Sequence, residues 1–360
     1  MADYVKLYFI LDVSRDDVLS SVLSGLRAAM LSNTITKPLK VRFGAGEDGV
    51  DYGGVQAELF RSVGRQLCDP SYGMFDVDTE SQRAWFSKGC IDSVERFEVA
   101  GALVALAVYN GCTISVAFPK MMYMMLLGQM PRSPRDIEDM YPSIAKNLSR
   151  MSSTSSGNAS DLGLTFEYTY ETLDGPKTVD MKPDAEDLTN ENLESYIEHY
   201  VRFASYELIQ PYFDAFQRGW RRLMPDYITR MFSASELMKV VQGADLEDIS
   251  VDDLRSATFY DDGYSPAHQV IIWFWEIVHG FDAENKRKLL EFITASDRVP
   301  VVGGLSSVTI IIQRNGPDSD RLPTSLTCFG RLLLPEYGSK EKLERMLLTS
   351  IQHSKGFGLV

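Results

Sequence analysis

The sequence predicts an α+β protein in two parts: a large, mostly helical N-terminal lobe, and a small α/β C-terminal lobe joined to it by a flexible hinge. A chain of 360 residues that is 44% hydrophobic is long enough to bury two cores. Helical periodicity dominates before Gly243, whereas β-branched segments alternate with helices after it. Gly243-Ala244-Asp245 itself is typical of a break. We therefore predict boundaries at 1–242, 243–246 and 247–360.

The N-terminal part carries most of the predicted helices. Apolar residues at helical spacing predict helices over 16–31, 55–66, 97–109 and 233–241. Another long helical region follows 189–192, a segment typical of a helix N-terminus. Alternating residues predict strands over 40–43 and 164–172. The methionine-rich segment 119–127 is typical of a core, and the polar, low-complexity segment 152–160 predicts a mobile loop.

The C-terminal part mixes the two kinds of element. Its apolar patterns predict helices over 273–278, 288–293 and 340–352. Runs rich in branched apolar residues predict strands over 308–312 and 331–334. A sheet covered by helices is the expected arrangement of this part.

Composition excludes several classes of function. A net charge of −14 without a basic stripe disfavours nucleic-acid binding. The longest apolar run, 99–108, is too short to cross a membrane, and the first residues lack the regions of a secretory signal. The glycines of 44–54 indicate turns rather than a phosphate loop, because no Gly-Lys-Ser/Thr follows them.

The four cysteines indicate a reducing compartment, and one of them stands apart. No Cys-x-x-Cys pair occurs, and the histidines lie far away in sequence, which disfavours a zinc site or a disulfide framework. We therefore expect the protein in the cytosol or nucleus. Cys68, Cys90 and Cys112 lie in or beside apolar helical segments and are typical of inert core residues. Cys328, in a short polar turn between apolar runs, is the candidate nucleophile.

Ordered motifs across almost the whole chain carry a family resemblance. They occupy 50–55 with Glu58, 106–111, 189–192, 260–264, 273–276, 298–300, 322–323 and 327–329. With them, the chain from about residue 5 to the last residue resembles the catalytic domain of HECT-type ubiquitin ligases. The resemblance implies a bilobed fold and no metal or organic cofactor. It also implies three partners: ubiquitin, a ubiquitin-conjugating enzyme that docks on the larger lobe, and a protein substrate.

The resemblance assigns roles to individual residues around the nucleophile. Ubiquitin would form a thioester with Cys328 and then pass to a substrate lysine. Thr327 would bond the thioester region, or simply pack at a strand edge. Glu58 matches an acidic position that assists lysine attack, and is equally typical of a solvated helix face. Phe357, fourth from the C-terminus, matches a phenylalanine needed for ligation, and an ordered tail packed on its own lobe is the alternative.

Two further sets of residues follow from the resemblance. The conjugating-enzyme groove matches Ile144, Leu148, Tyr196 and Tyr200, although the spacing of the two tyrosines also fits plain core packing. The predicted hinge is Gly243, Ala244 and Asp245, because one lobe must face two partners in turn. A stiffened hinge, as in Gly243→Pro, is expected to slow thioester transfer and to leave conjugating-enzyme binding intact.

The chain also departs from the family at three positions. Leu326 replaces a histidine two residues before the cysteine, Ser115 replaces an aspartate, and Ala57 replaces a basic residue before Glu58. These departures leave Cys328 in place and bear on how the attacking lysine loses its proton. They keep open a binding module that docks its partners without turnover. A cysteine protease whose histidine is distant in sequence is the third reading.

Overall fold

The computed structural model describes residues 7–43, 54–90, 93–153, 159–172, 174–182, 187–245, 250–256, 258–294, 298–299, 310–326 and 330–353, some of them by their backbone alone. The chain forms two compact units. Unit 1 comprises Met1–Asp48, Ser62–Asn110 and Val116–Met238, and unit 2 comprises Gly49–Arg61, Gly111–Ser115 and Lys239–Val360. The main division therefore follows Met238, close to the predicted hinge, and two short N-terminal segments join the C-terminal residues. The lobe boundaries predicted above remain a prediction.

The described helices are α1 (Val18–Leu31), α2 (Gly54–Leu67), α3 (Val94–Tyr109), α4 (Lys120–Leu126), α5 (Pro142–Ser153), α6 (Leu193–Ser205), α7 (Gln210–Arg221), α8 (Asp226–Thr229), α9 (Ala234–Gln242), α10 (Val251–Ser256), α11 (Gln269–Gly280), α12 (Ala283–Thr294) and α13 (Lys340–His353). In the part of the chain that the structure describes, no helix combines the length and the apolar composition that crossing a membrane requires.

The described strands are β1 (Phe9–Val13), β2 (Leu39–Phe43), β3 (Phe75–Val77), β4 (Ala84–Phe86), β5 (Glu167–Thr172), β6 (Gly175–Asp180), β7 (Ala244–Asp245), β8 (Thr258–Asp261), β9 (Arg298–Val299), β10 (Ile310–Arg314), β11 (Thr324–Leu326) and β12 (Arg331–Leu334). The mixture of helix and sheet confirms the predicted α+β class.

Unit 1 is built around two helices in unusually close contact. A Cβ atom added to Gly101 of α3 would lie 1.9 Å from the carbonyl oxygen of Phe216 in α7, and one added to Gly219 of α7 would lie 1.8 Å from that of Glu98. Only glycine permits this approach of two backbones. Helix α3 is buried along most of its length, which confirms the predicted buried helix. Two hairpins, β3–β4 and β5–β6, complete the elements that matter for the site.

Unit 2 contains a four-stranded sheet in the order β11-β12-β10-β8. Strand β10 runs parallel to β8 and β12, and β11 runs antiparallel to β12. One face of this sheet is buried: Ile312, Leu332 and Leu334 join side chains of α11 and α13 in a common core. This confirms helices and strands predicted near 273–278, 310–312, 331–334 and 340–352.

The predicted hinge residues have defined backbone geometry within unit 2. Gly243 has φ +89°, and its N–H donates to the carbonyl of Lys239 at 2.7 Å. Ala244 and Asp245 form β7, which pairs antiparallel with Val299 and Arg298 of β9. A hinge at this place would therefore either move together with the β7–β9 pair or break its backbone hydrogen bonds.

One loop prediction is wrong at its ends. Ser152 and Ser153 of the predicted loop 152–160 belong to the last turn of α5, and Ala159–Leu162 forms a 3₁₀ turn. The helix continues because Leu148 on its inner face remains buried, so packing outweighs the low helix propensity of the serines. Residues 154–158 lie outside the described part of the chain.

Candidate active site and docking surface

The sheet of unit 2 fixes the two ends of the segment that contains the candidate nucleophile. Leu326, the last residue of β11, pairs with Arg331, the first residue of β12. Thr327, Cys328 and Phe329 lie between this pair and outside the described residues, as does Phe357. Cys328 therefore belongs to the four-residue connection of a β-hairpin. Loop segments held by a rigid sheet are common positions for catalytic residues.

Side chains of the C-terminal region hold the segment that leads into β11. The hydroxyl of Tyr337 donates to the carbonyl of Arg321 at 2.5 Å, and that of Ser350 donates to the carbonyl of Pro323 at 3.2 Å. The ammonium of Lys342 lies 2.9 Å from Asp318 and 3.1 Å from Asp320. These contacts tie 318–323 to α13 and the residues just before it.

A second polar network holds the strand that leaves the hairpin. The guanidinium of Arg331 donates to Asp261 at 2.7 Å and to the side-chain oxygen of Gln313 at 2.5 Å. Gln313 in turn donates to Asp262. The hydrogen bond from Arg331 holds the pKa of Asp261 below its usual range. Strand β12 is thus joined to β10 by its backbone and to both β10 and β8 by the side chain of Arg331.

Glu58 belongs to the same unit as the hairpin. It lies on α2, one turn before Arg61, whose guanidinium donates to the carbonyl of Thr294 at the C-terminus of α12. Such terminal carbonyls lack helix partners and attract cations. Helix α12 also contacts β11 and β12. The structure therefore places the helix of Glu58 and the hairpin of Cys328 against a common neighbour, and the Glu58 side chain lies outside the description.

The four predicted docking residues gather in unit 1, although they differ in exposure. Leu148 and Tyr196 are each 4% exposed, and Ile144 and Tyr200 are partly buried. The rings of Tyr196 and Tyr200 lie 6.1 Å apart between centroids. A partner can touch Ile144 and Tyr200 directly in this arrangement. Leu148 and Tyr196 can contribute by fixing the shape beneath them.

These tyrosines belong to an aromatic cluster that the sequence did not reveal. We define the cluster as the side chains of one residue just before β5, one residue of β5 and three residues of α6, namely Phe166, Tyr168, Tyr196, Tyr200 and Phe203. Centroid distances are 5.3 Å for Phe166–Tyr196, 5.1 Å for Tyr168–Tyr200 and 6.2 Å for Tyr168–Phe203. Edge-to-face packing of this kind stabilises aromatic side chains beyond their burial.

Two leucines and a lysine near the cluster were missed by sequence reasoning. Leu162 and Leu164, just before β5, are 51% and 39% exposed. Lys88 donates to the hydroxyl of Tyr168 at 2.7 Å. Nothing in the sequence indicates that contact, since the two residues are 80 positions apart.

The three cysteines that the structure describes are poor candidates for a nucleophile. Cys68, Cys90 and Cys112 are partly buried. Burial raises the pKa of Cys68 to about 12, so its thiol stays protonated near neutral pH. This agrees with the structural role predicted for that residue.

Comparison with known proteins gives the family. The family described as HECT-domain (ubiquitin-transferase) matches residues 61–360. A human protein named probable E3 ubiquitin-protein ligase HERC4 is 31% identical over 354 residues, which cover 98% of this chain and 33% of that protein. The probable E3 ubiquitin-protein ligase HECTD2 of Pongo abelii is 33% identical to this chain. The matched region covers 99% of this chain and 47% of the length of that protein. The chain belongs to the HECT family of ubiquitin transferases.

The match covers nearly all of this chain but only part of each relative. A relative from Eremothecium gossypii, probable E3 ubiquitin-protein ligase HUL4, is 30% identical over 98% of this chain and 44% of that protein. The chain thus spans between a third and a half of the relatives it matches. The match runs across both units.

Proposed function

We propose that this chain accepts ubiquitin from a ubiquitin-conjugating enzyme as a thioester on Cys328 and transfers it to a lysine of a protein substrate. The observation that carries the proposal is the hairpin pair Leu326–Arg331, whose four-residue connection holds Cys328 in a chain of the HECT family. Side-chain contacts also hold the segment before β11 and the first residue of β12.

The first half-reaction exchanges one thioester for another. The Cys328 thiolate attacks the carbonyl carbon of ubiquitin's C-terminus, a new C–S bond forms, and the bond to the conjugating enzyme's cysteine breaks. The departing thiolate takes up a proton from water. The two thioesters are similar in energy, so the step needs little driving force.

The second half-reaction makes an isopeptide bond. A substrate lysine attacks the thioester as a neutral amine, the C–N bond forms, and the thiolate of Cys328 leaves. We assign Glu58 to accept the proton that the ammonium loses, because its helix and the hairpin share α12 as a neighbour. We also propose that Thr327 bonds the thioester region and that Phe357 shapes the site.

The docking and hinge assignments complete the proposal. Ile144 and Tyr200 would contact the conjugating enzyme, with Leu148 and Tyr196 beneath them. The hinge at Gly243, Ala244 and Asp245 would let Cys328 face both partners. We place the protein in the cytosol or nucleus, since its cysteines lack the pattern of a secreted disulfide framework.

A single-turnover assay with labelled ubiquitin on a conjugating enzyme tests the proposal. Wild type is expected to gain a ubiquitin adduct that reductant removes, and Cys328→Ala is expected to gain none. Cys90→Ala and Cys112→Ala serve as matched controls and should behave as wild type.

The binding module is the second candidate, and Leu326 is the observation that favours it. This leucine is 46% exposed beside the nucleophile and can neither carry a proton nor donate a hydrogen bond. Retained binding of the conjugating enzyme without any adduct on wild type would establish that reading and overturn the ligase proposal.

A further inference from the structure

The ammonium of Lys88, which the proposed transfer reaction does not use, contacts the aromatic cluster of unit 1. The ammonium of Lys88 lies 5.3 Å from the ring centroid of Tyr141 and 5.0 Å from that of Tyr168, and it also donates to the hydroxyl of Tyr168 at 2.7 Å. Lys88 is partly buried, just after β4. A desolvated ammonium over an aromatic face is attracted by the ring.

The contacts of Lys88 join three separate segments of unit 1. Tyr141 precedes α5, which carries Ile144 and Leu148, and Tyr168 lies on β5. One ammonium therefore connects the end of β4, the start of α5 and the middle of β5. A point charge with three donors suits this role better than a neutral side chain, because it can bond one hydroxyl and still face two rings.

The effect of Lys88 reaches the surface through Tyr168. That ring is 5% exposed and packs edge-on against Tyr200 with 5.1 Å between centroids. Tyr200 is partly exposed and is the proposed docking tyrosine. Loss of the ammonium would remove the hydroxyl partner of Tyr168 and the cation beneath its ring. Tyr168 would then be free to rotate, and Tyr200 would lose the neighbour that orients it.

We propose that Lys88 is a positioning residue for conjugating-enzyme docking, whose ammonium fixes Tyr168 and thereby orients Tyr200 toward the partner. This inference rests on the proposed function, because it assumes that Tyr200 belongs to the docking surface. Lys88 itself acts from beneath the surface through the aromatic cluster.

The charge of Lys88 gives the proposal a signature in pH. Burial lowers the pKa of Lys88 to about 8, against the attraction of the Asp76 carboxylate. Burial also raises the pKa values of the three neighbouring tyrosines, which stay neutral up to pH 9. The titratable groups that face the ammonium and its tyrosine partners are Asp76 in β3, Asp78 just after it, and the tyrosines at 141, 168 and 200. With its pKa lowered to about 8, Lys88 loses most of its positive charge between pH 7 and pH 9.

The test measures affinity for a conjugating enzyme that loads the wild-type chain, used free of ubiquitin. Lys88→Met is expected to raise Kd about five- to ten-fold and to leave the loading rate at saturating conjugating enzyme unchanged. Lys88→Arg retains a charge and should recover part of the affinity. Lys40→Met is the matched control, because Lys40 also lies over a tyrosine ring, 4.2 Å from the centroid of Tyr8, yet outside the cluster.

The pH profile separates positioning from a merely structural role. On raising the pH from 7 to 9, Kd of the wild type should rise by less than the factor that Lys88→Met causes, because the neutral amine loses the cation–ring attraction but can still bond the Tyr168 hydroxyl; Lys88→Met and Lys88→Arg should not follow. Tyr168→Phe keeps the ring and removes the hydroxyl, so a smaller loss of two- to three-fold is expected. The Tyr168→Phe variant tests the same hydrogen bond if Lys88→Met does not fold.

Three results would overturn the inference. One is unchanged affinity in both Lys88→Met and Tyr168→Phe, and another is a wild-type Kd that does not change between pH 7 and pH 9. If Tyr200→Ala binds more weakly while either of these two results is found, the role of Lys88 is overturned and the docking surface stands. Unchanged binding by Tyr200→Ala, with ubiquitin loading intact, would overturn the docking surface and this inference together, while Cys328 kept its role.

Discussion

The docking surface of unit 1 and the hairpin of unit 2 are built on different principles. The surface rests on side chains from 88, 141 and 168, which are distant in sequence and meet each other and Tyr200 through ring and ammonium contacts. The hairpin relies on strand register between residues a few positions apart, reinforced by polar contacts on each flank. A single substitution should therefore alter affinity in the first region, whereas the second should respond mainly when its flanking contacts are removed.

The largest expected effect concerns the close contact between α3 and α7 in unit 1. Gly101→Ala would force the backbones of α3 and α7 apart, because the new Cβ would lie 1.9 Å from the Phe216 carbonyl oxygen. We expect a loss of about 3 kcal/mol in the free energy of unfolding, measured with urea. Gly280→Ala, where a Cβ meets nothing within 4 Å, is the matched control and should cost little. Equal stability of the two variants would contradict the account of unit 1.

A second prediction concerns the hairpin. Arg331→Ala removes the side-chain connection from β12 to Asp261 and Gln313, so Cys328 would be held less firmly. Ubiquitin loading in a single turnover should slow about three- to ten-fold, with Kd for the conjugating enzyme unchanged. Arg345→Ala changes the charge equally at an exposed position of α13 and should load at the wild-type rate. Weaker docking by Arg331→Ala would contradict the separation of the two regions.

The hinge provides a smaller, step-specific effect. Gly243→Pro would replace a left-handed φ of +89° by about −65° and remove the N–H that bonds Lys239. We expect loading of Cys328 to slow several-fold while Kd for the conjugating enzyme stays the same. Gly243→Ala retains the N–H and isolates the strain of the left-handed backbone. Thioester transfer at the wild-type rate in a folded Gly243→Pro variant would end the hinge assignment.

The smallest effect is a pH dependence of stability. The pKa of Lys88 is lowered to about 8 in the folded chain, below its unfolded value, so the unfolded chain binds more protons above pH 8. The free energy of unfolding should thus rise between pH 8 and about pH 10, by about 1 kcal/mol for each pH unit relative to Lys88→Met. Urea unfolding of both proteins across this range checks it. A parallel pH response in the two would show that Lys88 is not the titrating group.

The same contrast explains what the sequence could predict. Helices such as α1 and α3 follow from apolar spacing within one segment, and both were predicted. Strand β1 has equally buried positions, yet it was missed because its parallel partner β2 lies 30 residues away and no turn signal joins them. The hairpin partner β6 was missed for another reason: its residues are mostly polar and exposed, so no alternation marks it.

Site prediction divides in the same way. Cys328, Glu58 and the four docking residues came from family resemblance and ordered motifs, and their roles remain predictions. The burial of Tyr196 and Leu148 could not be predicted, because helical spacing alone does not tell a core tyrosine from a surface one. Lys88 shows the limit most clearly. Its contact with Tyr168 joins residues 80 positions apart, which no local pattern encodes.

The most direct test of the central claim is the chemical nature of the ubiquitin adduct on Cys328→Ser, measured by intact mass with and without reductant. We predict that wild type carries a thioester that reductant removes. The serine variant should carry an oxyester that survives reductant and is cleaved by mild base. A reductant-sensitive adduct on Cys328→Ser would contradict the account, because the acceptor would then have to be Cys68, Cys90 or Cys112.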